Sequence, residues 1–214
     1  MLNLPEVTLV TIATRDPAAN LAALARCIAA VNFARVVIFT TEPATYRGVG
    51  DTVEVKPRDH HEWCVWRMTE LPRHHARFAG SHILFIESDS ALVNPRAWRE
   101  SFLAYDYIGA PWPGGIVGNG GFTLISLRML AAIAALKLAA TQAACFPCDY
   151  AMCRASDLVP INPRKFYRPA LEAAGMVYAP AGVADAFANE TGGYLGAFGI
   201  HGKEFMKKFQ EGTL

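Results

Sequence analysis

Two carboxylates, Glu87 and Asp89, follow an unbroken apolar run, Ile83-Leu84-Phe85-Ile86. The run reads as a strand buried on both faces. On an extended chain, side chains two apart point the same way, which puts the two acids roughly 6–7 Å apart along one face. Acids just beyond the carboxyl end of a central strand stand where open α/β sheets place ligand chemistry. Such a pair suits a hard, oxygen-preferring cation, Mg²⁺ or Mn²⁺, whose coordination sphere phosphates can complete. The plainer role for the same acids is to cap the next element or face solvent.

Four other stretches hold residue types that do chemistry. Gly118-Asn119-Gly120-Gly121-Phe122 packs three glycines into four positions. That composition allows positive φ and close approach of a ligand, and Asn-Gly is equally a hairpin turn. The stretch is neither a Walker loop nor a dinucleotide fingerprint. Asp149 precedes a short predicted helix. It is either an N-cap or a general base, ionised at neutral pH and able to accept a hydroxyl proton. His201 stands between two glycines, where little bulk hides the imidazole. Cys145-Phe146-Pro147-Cys148 looks like the Cys-x-Pro-Cys of disulfide oxidoreductases, but it follows a long predicted helix rather than an early strand, and zinc would need two further ligands. A free-thiol turn is the expectation, with a Cys145/Cys148 redox pair as an alternative. The adjacent histidines His60-His61 and His74-His75 diverge by about 100° on a helix, so neither pair chelates as a unit.

The elements that must position these residues follow from periodicity. Val7–Ala13 is a first strand and Asp16 or Asn20 caps a helix over Leu21–Val31. A second strand lies at Val36–Phe39, so the opening is a βαβ unit and the sheet is parallel there. Val53–Val55 is a short strand. His60–Phe78 is predicted as a helix disturbed at Pro72, and it carries Arg67, which either contacts phosphate or makes an exposed salt bridge. Asn94-Pro95 reads as a helix start, Tyr105–Ala110 as a strand, and Ser126–Ala144 as a long helix capped by Ser126. Lys165–Ala174 and Lys203–Gln210 are helical. The first βα turn, including Thr11, Thr14 and Asp16, is expected to meet a nucleoside.

The 214 residues carry a formal net charge of +1 and are 52% apolar, which fits one domain with a sizeable core. Near-neutrality gives no support for non-specific nucleic-acid binding. The start, Met-Leu-Asn-Leu-Pro-Glu, lacks the basic region of a signal peptide. Met129–Ala144 is too short and too interrupted for a membrane span. Five cysteines, an odd number, suit reduced thiols in a cytoplasmic protein.

Four of these stretches occur in one order: Leu84-Phe85-Ile86-Glu87-Ser88-Asp89-Ser90, Tyr105-Asp106-Tyr107-Ile108-Gly109-Ala110-Pro111-Trp112-Pro113, Val117-Gly118-Asn119-Gly120-Gly121-Phe122 and Phe198-Gly199-Ile200-His201-Gly202. In that order the chain resembles, over residues 5–205, a family that looks like nucleotide-sugar glycosyltransferases of the GT-A type. The resemblance implies a single α/β domain, Rossmann-like, with a mixed, mostly parallel central sheet flanked by helices. It implies a nucleotide-sugar donor such as a UDP-sugar, held through Mn²⁺ or Mg²⁺ at a DxD-type motif. Glu87-Ser88-Asp89 matches that motif, with Asp89 the surer ligand, Glu87 a ligand or a ribose contact, and His201 a third metal or pyrophosphate ligand. Trp112, Asn119, Gly120 and Gly121 fall on the sugar and acceptor side. Asp149 falls at the catalytic base, with Cys148 where many members carry a second acid. A glycan, a lipid-linked sugar, a protein or a modified nucleobase all fit as acceptor. A catalytically degenerate nucleotide-sugar-binding module is the alternative.

Overall fold

The first strand, β1 (Leu2–Ala13), is buried throughout Val7–Ala13, where no side chain is charged. Asp16 ends the following turn and caps α1 (Pro17–Ala30): its carboxylate accepts from Ala19 N at 3.0 Å, and Pro17 supplies a preset φ. Helix α1 buries Asn20, Ala23, Leu24 and Cys27, one stripe at helical spacing. Strands β2 (Val31–Thr40) and β3 (Asp51–Glu54) complete the opening half. An Asp59–Glu62 capping box starts α2 (His60–Thr69). Then come β4 (His82–Ile86), β5 (Ser90–Leu92), β6 (Tyr107–Ile108), β7 (Phe122–Ser126) and α3 (Leu127–Ala135), which Ser126 caps through Met129 N. The remaining elements are α4 (Cys148–Cys153), α5 (Arg168–Ala173), α6 (Ala181–Phe187), β8 (Ala188–Asn189), β9 (Gly199–His201) and α7 (Lys203–Gln210). The computed structural model describes residues 1–56, 59–136, 148–153, 167–190, 194 and 196–214.

The central sheet has six strands in the order β3-β2-β1-β4-β7-β6. The first four run parallel, β7 alone runs antiparallel to them, and β6, antiparallel to β7, returns to their direction: a mixed, mostly parallel sheet flanked by helices, Rossmann-like as expected. Strand β4 lies inside it with all five residues buried. Its last residue, Ile86, pairs with Thr11 on one side and Phe122 on the other. The carboxyl ends of β1 and β4 and the start of β7 therefore meet at one edge, and the acids follow directly.

A second sheet, β5-β9-β8, stands beyond that edge. Strand β5 pairs antiparallel with β9, placing Ser90 opposite His201, and β8 runs parallel to β9. This small sheet carries residues from the end of the chain to the end of β4.

Several elements depart from the sequence expectation. The helix predicted over His60–Phe78 ends at Thr69, and Leu71–Arg77 is a 3₁₀ segment that starts beside Pro72, which has no N–H to continue an α-helix. Asn94 makes no side-chain cap and Pro95–Ala97 is only a 3₁₀ turn. The predicted helix from Ser126 is described as far as Leu136; its continuation to Ala144, Cys145 and the start of Lys165–Ala174 lie outside the described residues. Among the described residues no helix is long and apolar enough to cross a membrane.

Candidate functional site

Glu87 and Asp89 do not sit on an extended strand. Strand β4 stops at Ile86, and residues 87–90 form a turn in which Ser90 N donates to the Glu87 carbonyl at 3.1 Å. The turn folds the two carboxylates toward each other. His201 joins them because the pairing of β5 and β9 sets it across from Ser90, reinforced by Gly202 N donating to the Asp89 carbonyl at 2.9 Å. One ligand atom each from Glu87, Asp89 and His201 lies within 4.8 Å of the others. His201 Nε2 is 3.3 Å from Asp89 Oδ1, and its Nδ1 is 3.3 Å from Glu190 Oε1.

Charge follows this geometry. Burial on its own would favour neutral imidazole, but Asp89, Glu190 and Glu87 surround His201 and raise its pKa to about 10. The contact with His201 in turn holds Asp89 below the usual carboxylate range. Those acids favour the protonated imidazole, whose charge opposes theirs. A divalent ion has the same electrostatic role, and its binding would release that proton. Two carboxylates and an imidazole form a donor set that could hold a divalent metal ion.

The glycine stretch is built into this centre. Gly121 accepts through its carbonyl from Glu87 N at 2.9 Å and from Ser90 Oγ, while its N–H donates to Asn119 Oδ1 at 3.0 Å. None of Gly118, Gly120 and Gly121 has a positive φ, so these glycines do not serve a hairpin turn. They are small because other side chains lie on them. A Cβ on Gly121 would stand 2.0 Å from His201 Nε2, one on Gly120 2.6 Å from an Arg67 nitrogen, and one on Gly118 2.1 Å from the Trp112 ring. Gly199 does the same for Phe122, whose ring atoms a Cβ would meet at 2.2 Å. The stretches Gly118–Phe122 and Phe198–Gly202 thus interlock, each supplying a glycine to the other's ring. Tyr107 OH donates to the Gly118 carbonyl, so the Tyr105–Trp112 stretch supports the loop from behind.

Arg67 is neither an exposed salt bridge nor a surface phosphate contact: it is 3% exposed. Its guanidinium donates to the Gly120 carbonyl at 2.8 Å, lies 3.5 Å from Glu87 Oε1 and 3.7 Å from Cys148 Sγ, and stacks over Phe85 at 3.9 Å. It anchors Glu87 and the glycine loop from beneath. Asp149 also acts on this guanidinium. Asp149 is half-buried in the first turn of α4, and its Oδ1 accepts from Tyr150 N at 2.9 Å. Tyr150 meets Trp112 edge-on, with ring centroids 4.7 Å apart.

A cleft of about 400 Å³ opens beside the acids. Asp16, Glu87, Ser88 and Asp89 line it as expected from sequence, together with Arg15, Asn20, His60, Trp63 and Lys203, which sequence reasoning missed. Lys203 had a signal, two residues beyond His201; the others had none beyond their place in the first βα turn and at the start of α2. Thr11 does not reach this cleft. It is buried, with its hydroxyl between Asn20 Oδ1 and the Ile86 carbonyl, because the end of β1 is covered on both faces. Thr14 Oγ1 is also buried, without a partner among the described residues. Trp112, Asn119, Gly120, Gly121, Asp149 and His201 are not among the residues that line the cleft; they cluster around Arg67 and the glycine loop. Of the predicted redox pair, Cys145 lies outside the described residues. Cys148 is buried against Cys64, and that partner together with burial pushes its thiol pKa well up, away from a reactive thiolate.

A family model described as a protein of unknown function, DUF5672, matches residues 67–193. The chain belongs to that family. The DUF5672 match takes in Arg67, Glu87, Asp89, the glycine stretch, Asp149 and Glu190, and stops short of His201. No curated protein matches the chain. Among solved structures, the bifunctional IspDF from Campylobacter jejuni is similar at a TM-score of 0.49 and 10% identity, over 81% of this chain and 48% of that one. The chain thus spans about half the length of that structure.

Proposed function

We propose that the protein is a metal-dependent glycosyltransferase, moving a sugar from a nucleotide-diphosphate donor such as a UDP-sugar to a hydroxyl acceptor. The observation that carries this is the convergence of Glu87, Asp89 and His201 within 4.8 Å, with Glu87 and Asp89 lining the cleft beside the first βα turn. Asp89, His201 and Glu87 would hold Mn²⁺ or Mg²⁺, which when bound neutralises charge on a diphosphate leaving group. Arg15 and Lys203 add positive charge along the same cleft. Asp16, Asn20 and the Trp63 face with its stacked His60 offer a polar and an aromatic wall to a nucleoside. Asp149 would accept the proton of the acceptor hydroxyl, with Trp112 and the Asn119–Gly121 backbone on the acceptor side.

The test has two arms. UDP at a hundred times its dissociation constant adds about 2.7 kcal/mol of stability, or roughly 5–10 °C in a chain of this size. The shift is expected with Mn²⁺ present and absent in EDTA, and Asp89→Asn should abolish it; equal stabilisation in EDTA rejects the metal reading. In the second arm, donor turnover in Asp149→Asn should fall by roughly 10²–10⁴ with UDP affinity retained. Wild-type turnover in Asp149→Asn assigns that acid to capping. UDP binding by the native chain with no hydrolysis or transfer of any donor identifies a binding module instead.

A further inference from the structure

Glu190 stands immediately after β8, whose parallel register with β9 pairs Ala188 with Gly199 and Asn189 with Ile200. The next step along both strands brings Glu190 alongside His201. The carboxylate reaches the face of the imidazole that the other acids do not use: Oε1 lies 3.3 Å from Nδ1, whereas Asp89 lies 3.3 Å from Nε2. Glu190 is not part of the Glu87–Asp89–His201 group. His201 Nδ1 is fully buried and makes no aligned hydrogen bond among the described residues, and the Glu190 carboxylate stands 3.3 Å from it.

Resting on the proposed metal centre, we infer that Glu190 is a positioning residue that holds His201 with its proton on Nδ1 and its Nε2 lone pair aimed at the cation. An imidazole that ligates through one nitrogen needs an acceptor at the other. Without it, both the tautomer and the ring plane are free, and ligation loses strength. The backbone supplies the rigidity: β8 and β9 fix the two Cα positions, and Gly202, at φ +105°, turns the chain beside Glu190, where a Cβ on the glycine would stand 3.7 Å from Glu190 Cγ.

A double-mutant cycle on the full chain tests this, read by Mn²⁺ titration with the free-ion electron paramagnetic resonance signal. Glu190→Ala should weaken Mn²⁺ about 10–100-fold, Glu190→Gln, which keeps an acceptor oxygen, should weaken it less, and metal-free melting should show each variant folded. The decisive comparison is in the His201→Ala background, where Glu190→Ala should have no further effect, because its action passes through the imidazole. Additive losses, or wild-type affinity in Glu190→Ala, overturn the inference while leaving the metal centre standing. A native chain that binds no Mn²⁺ overturns the centre itself and the inference with it.

Discussion

Replacing Gly121 by alanine adds one methyl group and leaves every backbone hydrogen bond of the loop in place. That methyl carbon would lie 2.0 Å from His201 Nε2 and 2.2 Å from Cδ2, where ordinary van der Waals contact begins at 3.4 Å. The imidazole must retreat by more than an ångström. It has little room to do so, since Asp89 and Glu190 each stand 3.3 Å from one of its nitrogens. Overpacking of this kind costs about 1–3 kcal/mol, or roughly 2–12 °C in melting temperature. A ligand displaced by that distance is expected to cost about 10–100-fold in Mn²⁺ affinity, the range seen when a ligating histidine is misoriented. Gly182→Ala is the control, since a Cβ there meets nothing within 4 Å and its φ is ordinary. Calorimetric Mn²⁺ titration and thermal unfolding on the three proteins give both numbers. Wild-type affinity and melting temperature in Gly121→Ala would refute the claim that this glycine exists to seat the histidine.

Two further outcomes follow from buried charge. Asp106, 3% exposed, accepts from Ser126 Oγ, Arg128 and Val177 N. Burial pulls its pKa up, but those donors outweigh burial and hold it below the usual range. A depressed folded pKa stabilises the fold above the unfolded value near 4, and that contribution is lost as pH falls through the folded value. Asp106→Asn should therefore cost about 2–3 kcal/mol at pH 7 and flatten the acid limb of a urea-stability profile; an unchanged limb would show that Asp106 contributes nothing to it. Arg67→Met keeps an unbranched apolar chain beside Phe85 but removes the guanidinium over that ring and leaves the Gly120 carbonyl without its donor and Glu87 without its anchor. Glu87 is one-third exposed and recovers solvation, so the loss should lie near the lower end of the range for a broken buried pair, about 3 kcal/mol. Unaltered denaturation midpoint and slope in Arg67→Met would contradict the anchoring role.

Local signals were enough for some of the elements that bear on this site. The apolar run Ile83–Ile86 marked the inner strand of the sheet because a strand covered on both faces is built mostly from apolar residues. Asp16 and Ser126 announced two helix starts, since a capping oxygen works within three residues of itself. Glu87, Asp89 and His201 were legible as candidates, one by one, from residue type and flanking glycines. Their assembly was not. The bonds from Glu87 N and Ser90 Oγ to the Gly121 carbonyl that hold the Glu87–Ser90 turn, and the β5–β9 pairing that brings His201 across from Ser90, are contacts between distant segments, and the register that delivers Glu190 depends on β8 finding β9. A two- or three-residue strand has no period to read, and its existence depends on the partner it pairs with. The burial of Arg67 was equally beyond the sequence. A guanidinium is costly to bury in the absence of partners, and those partners, Gly120, Glu87 and Cys148, come together only when α2, β4, the glycine loop and α4 close on one another.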